Sequence, residues 1–252
     1  MKISVITVTY NSAKTIADTL SSLAAQTHDD IEHVIVDGAS SDDTLRIVAD
    51  HAQPWRHAVS EPDRGIYDAM NKGIGLVSGD VVGFLNSDDF YASPGALTKV
   101  AAAFVDPAID VVYADLCYVA QDDVRQIVRY CRSGPFAPGL FARGWAPPHP
   151  TLFVRRKVFA KIGGFDLAYP IAADLELMAR LLEVHGLRSH HVPEVLVHMR
   201  TGGASNRSLK SVFGQNQEVW RALRKHGLVA SPWRFFCSKI VSRGSQFLAR
   251  PH

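Results

Sequence analysis

The chain has 252 residues, enough for one α/β domain with a large core or for two small domains. Its composition, 47% apolar and 21% charged, is that of an ordinary soluble globular protein, and no apolar run approaches the roughly 20 residues of a membrane-spanning helix. The net charge of +2 conceals an asymmetry: residues 205–252 carry nine Lys/Arg against the single acid Glu218, a balance of +8, whereas residues 1–204 carry 18 basic and 24 acidic side chains, a balance of −6. A basic tail behind an acidic body suits an anionic membrane surface, and equally a solvated helical face.

The opening MKISVITVTY has one Lys and too short an apolar run for a signal peptide. Cys117, Cys131 and Cys237 have neither metal-ligand spacing nor an even count, so they read as reduced and structural, which points to the cytoplasm.

Residues 3–8 are a β-branched run fit for a buried strand, broken by Thr9-Tyr10-Asn11-Ser12. Ser12 is a candidate N-cap for a helix over 13–26, in which Ile16, Leu20 and Leu23 share a face. A second strand, 34–36, ends at Asp37-Gly38, and Ser40-Ser41-Asp42-Asp43 precedes a helix over 44–51. A short strand at 57–60, a helix over 66–77 and a strand over 81–85 follow. Ser93-Pro94 opens a helix over 94–104 with Pro at its first position. This β-α alternation implies a mostly parallel sheet with right-handed crossovers, whose ligands bind beyond the carboxyl ends of the strands. That rule sets residues 9–11, Asp37 and residues 86–89 along one rim.

The strand over 81–85 runs into Asn86-Ser87-Asp88-Asp89. Two adjacent carboxylates at the end of an apolar strand call for positive charge, because unpaired ions resist dehydration. A divalent cation carrying a diphosphate meets that need.

The second half changes character. Residues 110–118 and 124–131 read as strands that could pair antiparallel across Gln121-Asp122-Asp123. Residues 133–150 form a loop with five prolines and three glycines around Phe136, Phe141 and Trp145, of the kind that serves as a surface lid or binding loop. A strand at 152–154, a short helix at 158–162 stopped by Gly163-Gly164, a helix over 173–185 and two more near 209–226 and 233–248 complete the chain. In the last, Trp233, Phe236, Ile240, Val241, Phe247 and Leu248 alternate with basic residues as in an interfacial helix. A dinucleotide site is excluded, since the first strand ends Thr-Tyr-Asn-Ser and not Gly-x-Gly-x-x-Gly, and there is no phosphate-loop Lys motif.

Thr7-Val8-Thr9-Tyr10-Asn11-Ser12, the Val36-Asp37-Gly38 stretch, Met70-Asn71-Lys72-Gly73, Phe84-Leu85-Asn86-Ser87-Asp88-Asp89, Gly163-Gly164-Phe165-Asp166 and Ala173-Asp174-Leu175 occur in the order typical of family 2 glycosyltransferases. The chain resembles that family over residues 3 to 205, and its 60–74 stretch resembles the colanic-acid-type exopolysaccharide enzymes. The resemblance implies the GT-A fold, an α/β Rossmann-like sandwich with a mostly parallel central sheet. Residues 1–204 would be the catalytic domain (1–115 the nucleotide-sugar half, 116–204 the acceptor half) and 205–252 a basic amphipathic helical tail.

It further implies an inverting, metal-dependent hexosyl- or deoxyhexosyltransferase with a nucleoside-diphosphate sugar donor and a glycan or polyprenyl-diphosphate-linked acceptor. The setting would be cell-surface polysaccharide synthesis at the cytoplasmic face of the plasma membrane; no nucleic-acid partner is expected. By position, Thr9, Tyr10, Asn11 and Asp37 match the nucleoside site, with Asp37 accepting the base N–H. Asp63, Arg64 and Asn71 match the ribose and diphosphate wall, and Asn86 and Ser87 the donor site. Asp88 matches the ligand for Mn²⁺ or Mg²⁺, with Asn86 departing from the usual Asp, and His198 is a candidate third ligand. Asp174 matches the general base, with Ala173 where a Glu is usual, and Trp145 and His149 face the acceptor. A nucleotidyltransferase or a non-catalytic sugar-nucleotide-binding subunit are the alternatives.

Overall fold

The computed structural model describes residues 1–202 and 209–229. Its centre is one sheet of nine strands: β1 (Ile3–Thr9), β2 (Ile31–Asp37), β3 (Arg56–Ser60), β4 (Val81–Phe84), β5 (Phe90–Tyr91), β6 (Val111–Val119), β7 (Ile127–Cys131), β8 (Phe153–Arg155) and β9 (Ser189–Arg200). They lie in the order β3-β2-β1-β4-β8-β6-β9-β5, with β7 added beside β6. The first four are mutually parallel, as the β-α alternation predicts. Beyond β4 the sheet is mixed: β8 runs antiparallel to both β4 and β6, and β9 runs parallel to β6. The expected β6–β7 hairpin is antiparallel.

Alternation along the strands loads both faces of the sheet. Ile6, Val8, Val34, Val36, Val82, Phe84, Val111 and Tyr113 pack under α3 (Ile66–Leu76), α5 (Arg156–Ile162), α6 (Ala173–Ala179) and α7 (Leu209–Lys225). Ile3, Val5, Val81, Val112 and Ala114 pack on the other face against α1 (Ile16–Ala24) and α4 (Ala96–Ala103). The short α2 (Thr44–Asp50) closes the edge with Ile16, Leu20 and Ile35. Gly83 is required by proximity: a Cβ there would sit 2.3 Å from the Phe153 ring, so β4 and β8 approach closely only because the position is bare.

Several expectations are corrected. Helix α1 starts three residues later than predicted: the Ser12 carbonyl accepts the N–H groups of Thr15 and Ile16, while its hydroxyl is turned to Ser87. Pro94 lies in the turn before α4 and not at its first position. The helix predicted over 173–185 loosens after Ala179 into a π-turn, Arg180–Val184. Strands β5 and β9 were not foreseen. The proline-rich loop is no open lid: Phe141 and His149 are buried, and Phe136, Phe141, Trp145 and Tyr113 form one aromatic cluster against the sheet. Cys237, the predicted helix over 233–248 and the domain boundary at 204/205 lie outside the described residues.

Candidate functional site

Parallel pairing aligns the carboxyl ends of β1, β2 and β4 on one rim. Thr9 stands opposite Asp37, and Asp37 opposite Ser60. The loops that leave these strands are stitched together by short polar side chains. Asn11, in the left-handed region at φ 49°, gives its N–H to the Ser40 hydroxyl and accepts the Ser41 N–H on its side-chain oxygen. Ser12 and Ser87 share a hydrogen bond of 2.8 Å that ties the end of β1 to that of β4.

Asp37 is fully buried. Its Oδ2 accepts from the Ser40 N–H (2.9 Å) and the Ser60 hydroxyl (2.7 Å), and its Oδ1 from the Ser40 hydroxyl (2.5 Å). The acid expected to meet a base N–H is thus already surrounded by donors of the chain, and it shapes the 38–44 loop. Tyr10 and Asp63 are more open. Tyr10 is 65% exposed, and both side chains flank Gly38, where an added Cβ would lie 2.5 Å from Asp63 Oδ2 and 3.5 Å from Tyr10 Cδ2. An exposed ring with a carboxylate beside it offers a stacking face and an acceptor edge.

Arg64 pairs with Asp68 at 2.9 Å while most of its side chain remains in solvent. Asn71 sits elsewhere than on a diphosphate wall: its Nδ2 donates to the Phe165 carbonyl (2.9 Å) and its Oδ1 accepts the Phe165 N–H (2.8 Å), so it joins α3 to the Gly163–Asp166 turn.

At the end of β4, Asp89 is enclosed. Its Oδ2 accepts from Asn86 Nδ2 at 3.0 Å; its Oδ1 and the Asn86 Oδ1 have no partner among the described residues. Burial raises the carboxyl pKa of both Asp88 and Asp89, and the charge of Asp88 adds to the rise at Asp89. Arg200 opposes this, yet its guanidinium is bound to the Asp88 carbonyl (2.7 Å) and to the Asp18 carboxylate, not to either site carboxyl. Hard oxygen donors left short of positive charge fit Mg²⁺ or Mn²⁺ held through one or two carboxylates, with phosphate oxygens and water completing the shell. No group of three or more His, Cys, Asp or Glu side chains among the described residues forms a protein cage for a metal. His198 is paired by β9 with Phe90, whose ring it meets edge-on at 5.3 Å.

Asp174 lies in the first turn of α6, where the helix dipole favours negative charge. Its Oδ1 accepts from the Tyr67 hydroxyl (3.0 Å) and the Leu175 N–H (2.8 Å); Oδ2 accepts no hydrogen bond among the described residues. Burial first, and then the charge of Asp174, drive the Tyr67 pKa upward, so this phenol remains a donor. A run of aromatic contacts links Asp174 to β4. Tyr67 stacks on Phe165 (5.3 Å), Phe165 meets Phe84 (5.2 Å), and Phe84 stacks on His149 (5.2 Å). His149 is buried, its Nε2 has no partner among the described residues, and burial lowers its pKa against the pull of Asp174. Trp145, in contrast, donates its Nε1–H to the Ser133 carbonyl (2.6 Å) and serves the loop's own packing.

Of the predicted residues, Thr9, Asn11, Asp37, Asn86, Ser87 and Asp88 share the rim, with Tyr10 and Asp63 on its open side. His149 and Asp174 lie within electrostatic reach of each other. Asn71, Trp145 and His198 are occupied elsewhere. Thr9 Oγ1 adds a further buried atom without a partner among the described residues. Tyr67 and Glu218, which hold the Asp174 turn, were not predicted; their contacts span 107 and 47 residues, beyond any local pattern.

Residues 4–162 match the family described as Glycosyl transferase family 2. An uncharacterised glycosyltransferase of Mycobacterium tuberculosis is 33% identical over 89% of this chain and 85% of its own length. A PGL/p-HBAD biosynthesis glycosyltransferase of Mycobacterium bovis is 32% identical over 83% and 81%. Among solved structures, a mannosyltransferase from Pyrobaculum calidifontis in complex with GDP-Man and Mn²⁺ superposes with a TM-score of 0.69 at 20% identity, covering 100% of this chain and 76% of that one. Staphylococcus aureus TarS 1-349 in complex with UDP-GlcNAc gives 0.63 at 21% identity, covering 90% and 65%. The sheet order and flanking helices are those of the GT-A fold.

Proposed function

The chain belongs to glycosyl transferase family 2, and from that footing we propose that it is an inverting transferase. It would move a sugar from a nucleoside-diphosphate donor to a hydroxyl of a glycan or lipid-linked acceptor during assembly of a cell-surface glycan. The observation that carries the reading is the division of labour among three acids. Asp88 and Asp89 follow β4 short of positive charge, while Asp174 stands apart with one oxygen fixed and the other unbonded among the described residues. Inverting transfer needs these two features: compensation of charge on a departing diphosphate, and a base for the attacking hydroxyl. The ligands named for the solved structures, UDP-GlcNAc and GDP-Man, and the PGL/p-HBAD biosynthesis named for the Mycobacterium bovis relative support the substrate classes.

In this reading the nucleobase stacks on Tyr10 and meets the acceptor edge of Asp63, above the floor that Thr9, Asn11 and Asp37 build. Arg64 reaches toward the diphosphate, and Asn86 and Ser87 meet the ribose side. Asp88 would hold Mn²⁺ or Mg²⁺, which would supply Lewis-acid neutralisation of the leaving diphosphate. Asp174 takes the proton of the acceptor hydroxyl on Oδ2 as that oxygen attacks the anomeric carbon from the face opposite the diphosphate. His149, kept neutral by burial, lines the acceptor side.

The test is donor turnover. Purified protein with Mn²⁺ and a panel of sugar nucleotides is expected to release nucleoside diphosphate from one of them, and Asp174→Asn to lower that rate by about 10²–10⁴-fold. No release from any donor, together with no effect of Asp174→Asn, overturns the proposal. Protection against thermal unfolding screens the same panel, since a ligand at 100 times its Kd adds about 2.7 kcal/mol.

A further inference from the structure

Helix α6 lacks a cap of its own. The residue before it is Ala172, at φ −125° and ψ 22°, which has no side-chain acceptor for the N–H groups that every helix start leaves open. The acceptor comes from α7. Glu218 Oε2 receives the N–H of Ile171 at 2.8 Å and that of Ala172 at 3.1 Å. From the opposite side the Tyr67 hydroxyl, on α3, contacts the Ile171 carbonyl oxygen (2.9 Å) and Asp174 Oδ1 (3.0 Å). Ile171 is therefore held at its N–H from one helix and at its carbonyl from another, and Asp174 follows three residues later in the same turn.

Helix α7 is itself well fixed. Val219, Ala222 and Leu223 are buried in the core. His226 Nε2 contacts the buried Glu176 (2.7 Å), Lys225 pairs with Asp166 (2.8 Å), and Arg221 donates to the Ala168 carbonyl (2.5 Å). All of these contacts reach the 166–176 segment, and both that segment and α7 lie beyond the residues that match the family.

We propose that Glu218 is a positioning residue for the transfer reaction, capping α6 from outside so that Asp174 presents Oδ2 to the acceptor hydroxyl. The assignment rests on the reading of Asp174 as the base. Glu218 touches no reacting atom; it acts through the Ile171–Asp174 turn. Its carboxylate stands at a helix N-terminus, where the dipole favours it, and its charge joins that of Asp174 in keeping the Tyr67 hydroxyl protonated. Because one carboxylate oxygen accepts both N–H groups, an amide oxygen in the same place keeps the geometry.

Hydrogen exchange and kinetics together test this. In Glu218→Ala, amide exchange of the 171–175 peptide is expected to accelerate, and kcat for donor turnover to fall by roughly 10–100-fold, with donor KM within about twofold of wild type. Glu218→Gln, which retains an acceptor oxygen, is expected to restore both the slow exchange and most of kcat. Unchanged exchange in Glu218→Ala overturns the role whatever Asp174 does. So does a loss shared by kcat, donor KM and Tm that Gln does not repair, since that marks general packing. If Asp174→Asn leaves turnover unchanged, it is the base assignment that fails, and the exchange data show this separately.

Discussion

An imidazole walled in by Phe84 and Phe165, without a partner for Nε2 among the described residues, resists protonation because a charged ring would lose its water. His149 therefore keeps a pKa below the ordinary 6.5, and so does His33, which is fully enclosed beside the Arg56 charge. The sign follows from linkage. Below pH 6.5 the unfolded chain binds protons that these two rings refuse in the folded state, so their contribution is present above that pH and is lost as pH falls toward 5. In denaturant unfolding between pH 5 and 7, His149→Phe is expected to flatten the pH dependence by up to about 1.4 kcal/mol per pH unit, the value of one proton. An unaltered slope would show that His149 titrates normally. At this scale the motifs exposed Asp88, Asp174 and the Thr9–Asn11 turn. They could not show that Asp37 and Asn71 are occupied by Ser40, Ser60 and Phe165, because those hydrogen bonds depend on loops that meet only after folding.

Among the elements, β4 is the hinge between the parallel and the mixed halves of the sheet, and it works through a glycine. Gly83→Ala drives a methyl into the Phe153 ring and is expected to cost about 1–3 kcal/mol, read as a lower midpoint in chemical denaturation. Gly95→Ala, with no atom within 4 Å of the added Cβ, is the control and is expected to stay near wild type. The β-α succession through α4 was legible because β-branched runs and helical spacing alternate without conflict. Strand β9 was not. It opens on His190-His191 and carries Pro193-Glu194 in its middle, and its pairing with β6 slips there, so neither an apolar run nor a clean alternation marks it. Strand β5 is two residues long and exists only through β9. The proline-rich loop showed itself as a loop, but its inward packing depends on Tyr113 and Ser133.

For the whole molecule, charge is distributed unevenly along the chain, and α7 is the first part of the basic 205–252 stretch. No helix among the described residues is long and apolar enough to cross a membrane. The reading of the tail as a contact for anionic lipid predicts that deleting residues 232–252 lowers sedimentation with vesicles containing phosphatidylserine, and that salt weakens the binding of the intact chain. Equal binding with and without the tail would refute it.

The Asn71–Phe165 joint has a consequence at this same scale. A side-chain amide that exchanges both hydrogen bonds with a backbone peptide behaves like one rung of a sheet ladder, and a Cβ on the adjacent Gly164 would come within 2.2 Å of it. The helix that follows the nucleotide-side turn and the segment that leads into Asp174 thus shift together or not at all. If donor and acceptor bind on either side of this joint as proposed, occupancy of one side is expected to alter the affinity of the other, and by thermodynamic reciprocity each would change the other's dissociation constant by the same factor. The linkage is measurable with a dead-end pair in which no sugar is transferred, and equal dissociation constants with and without the second ligand would refute it.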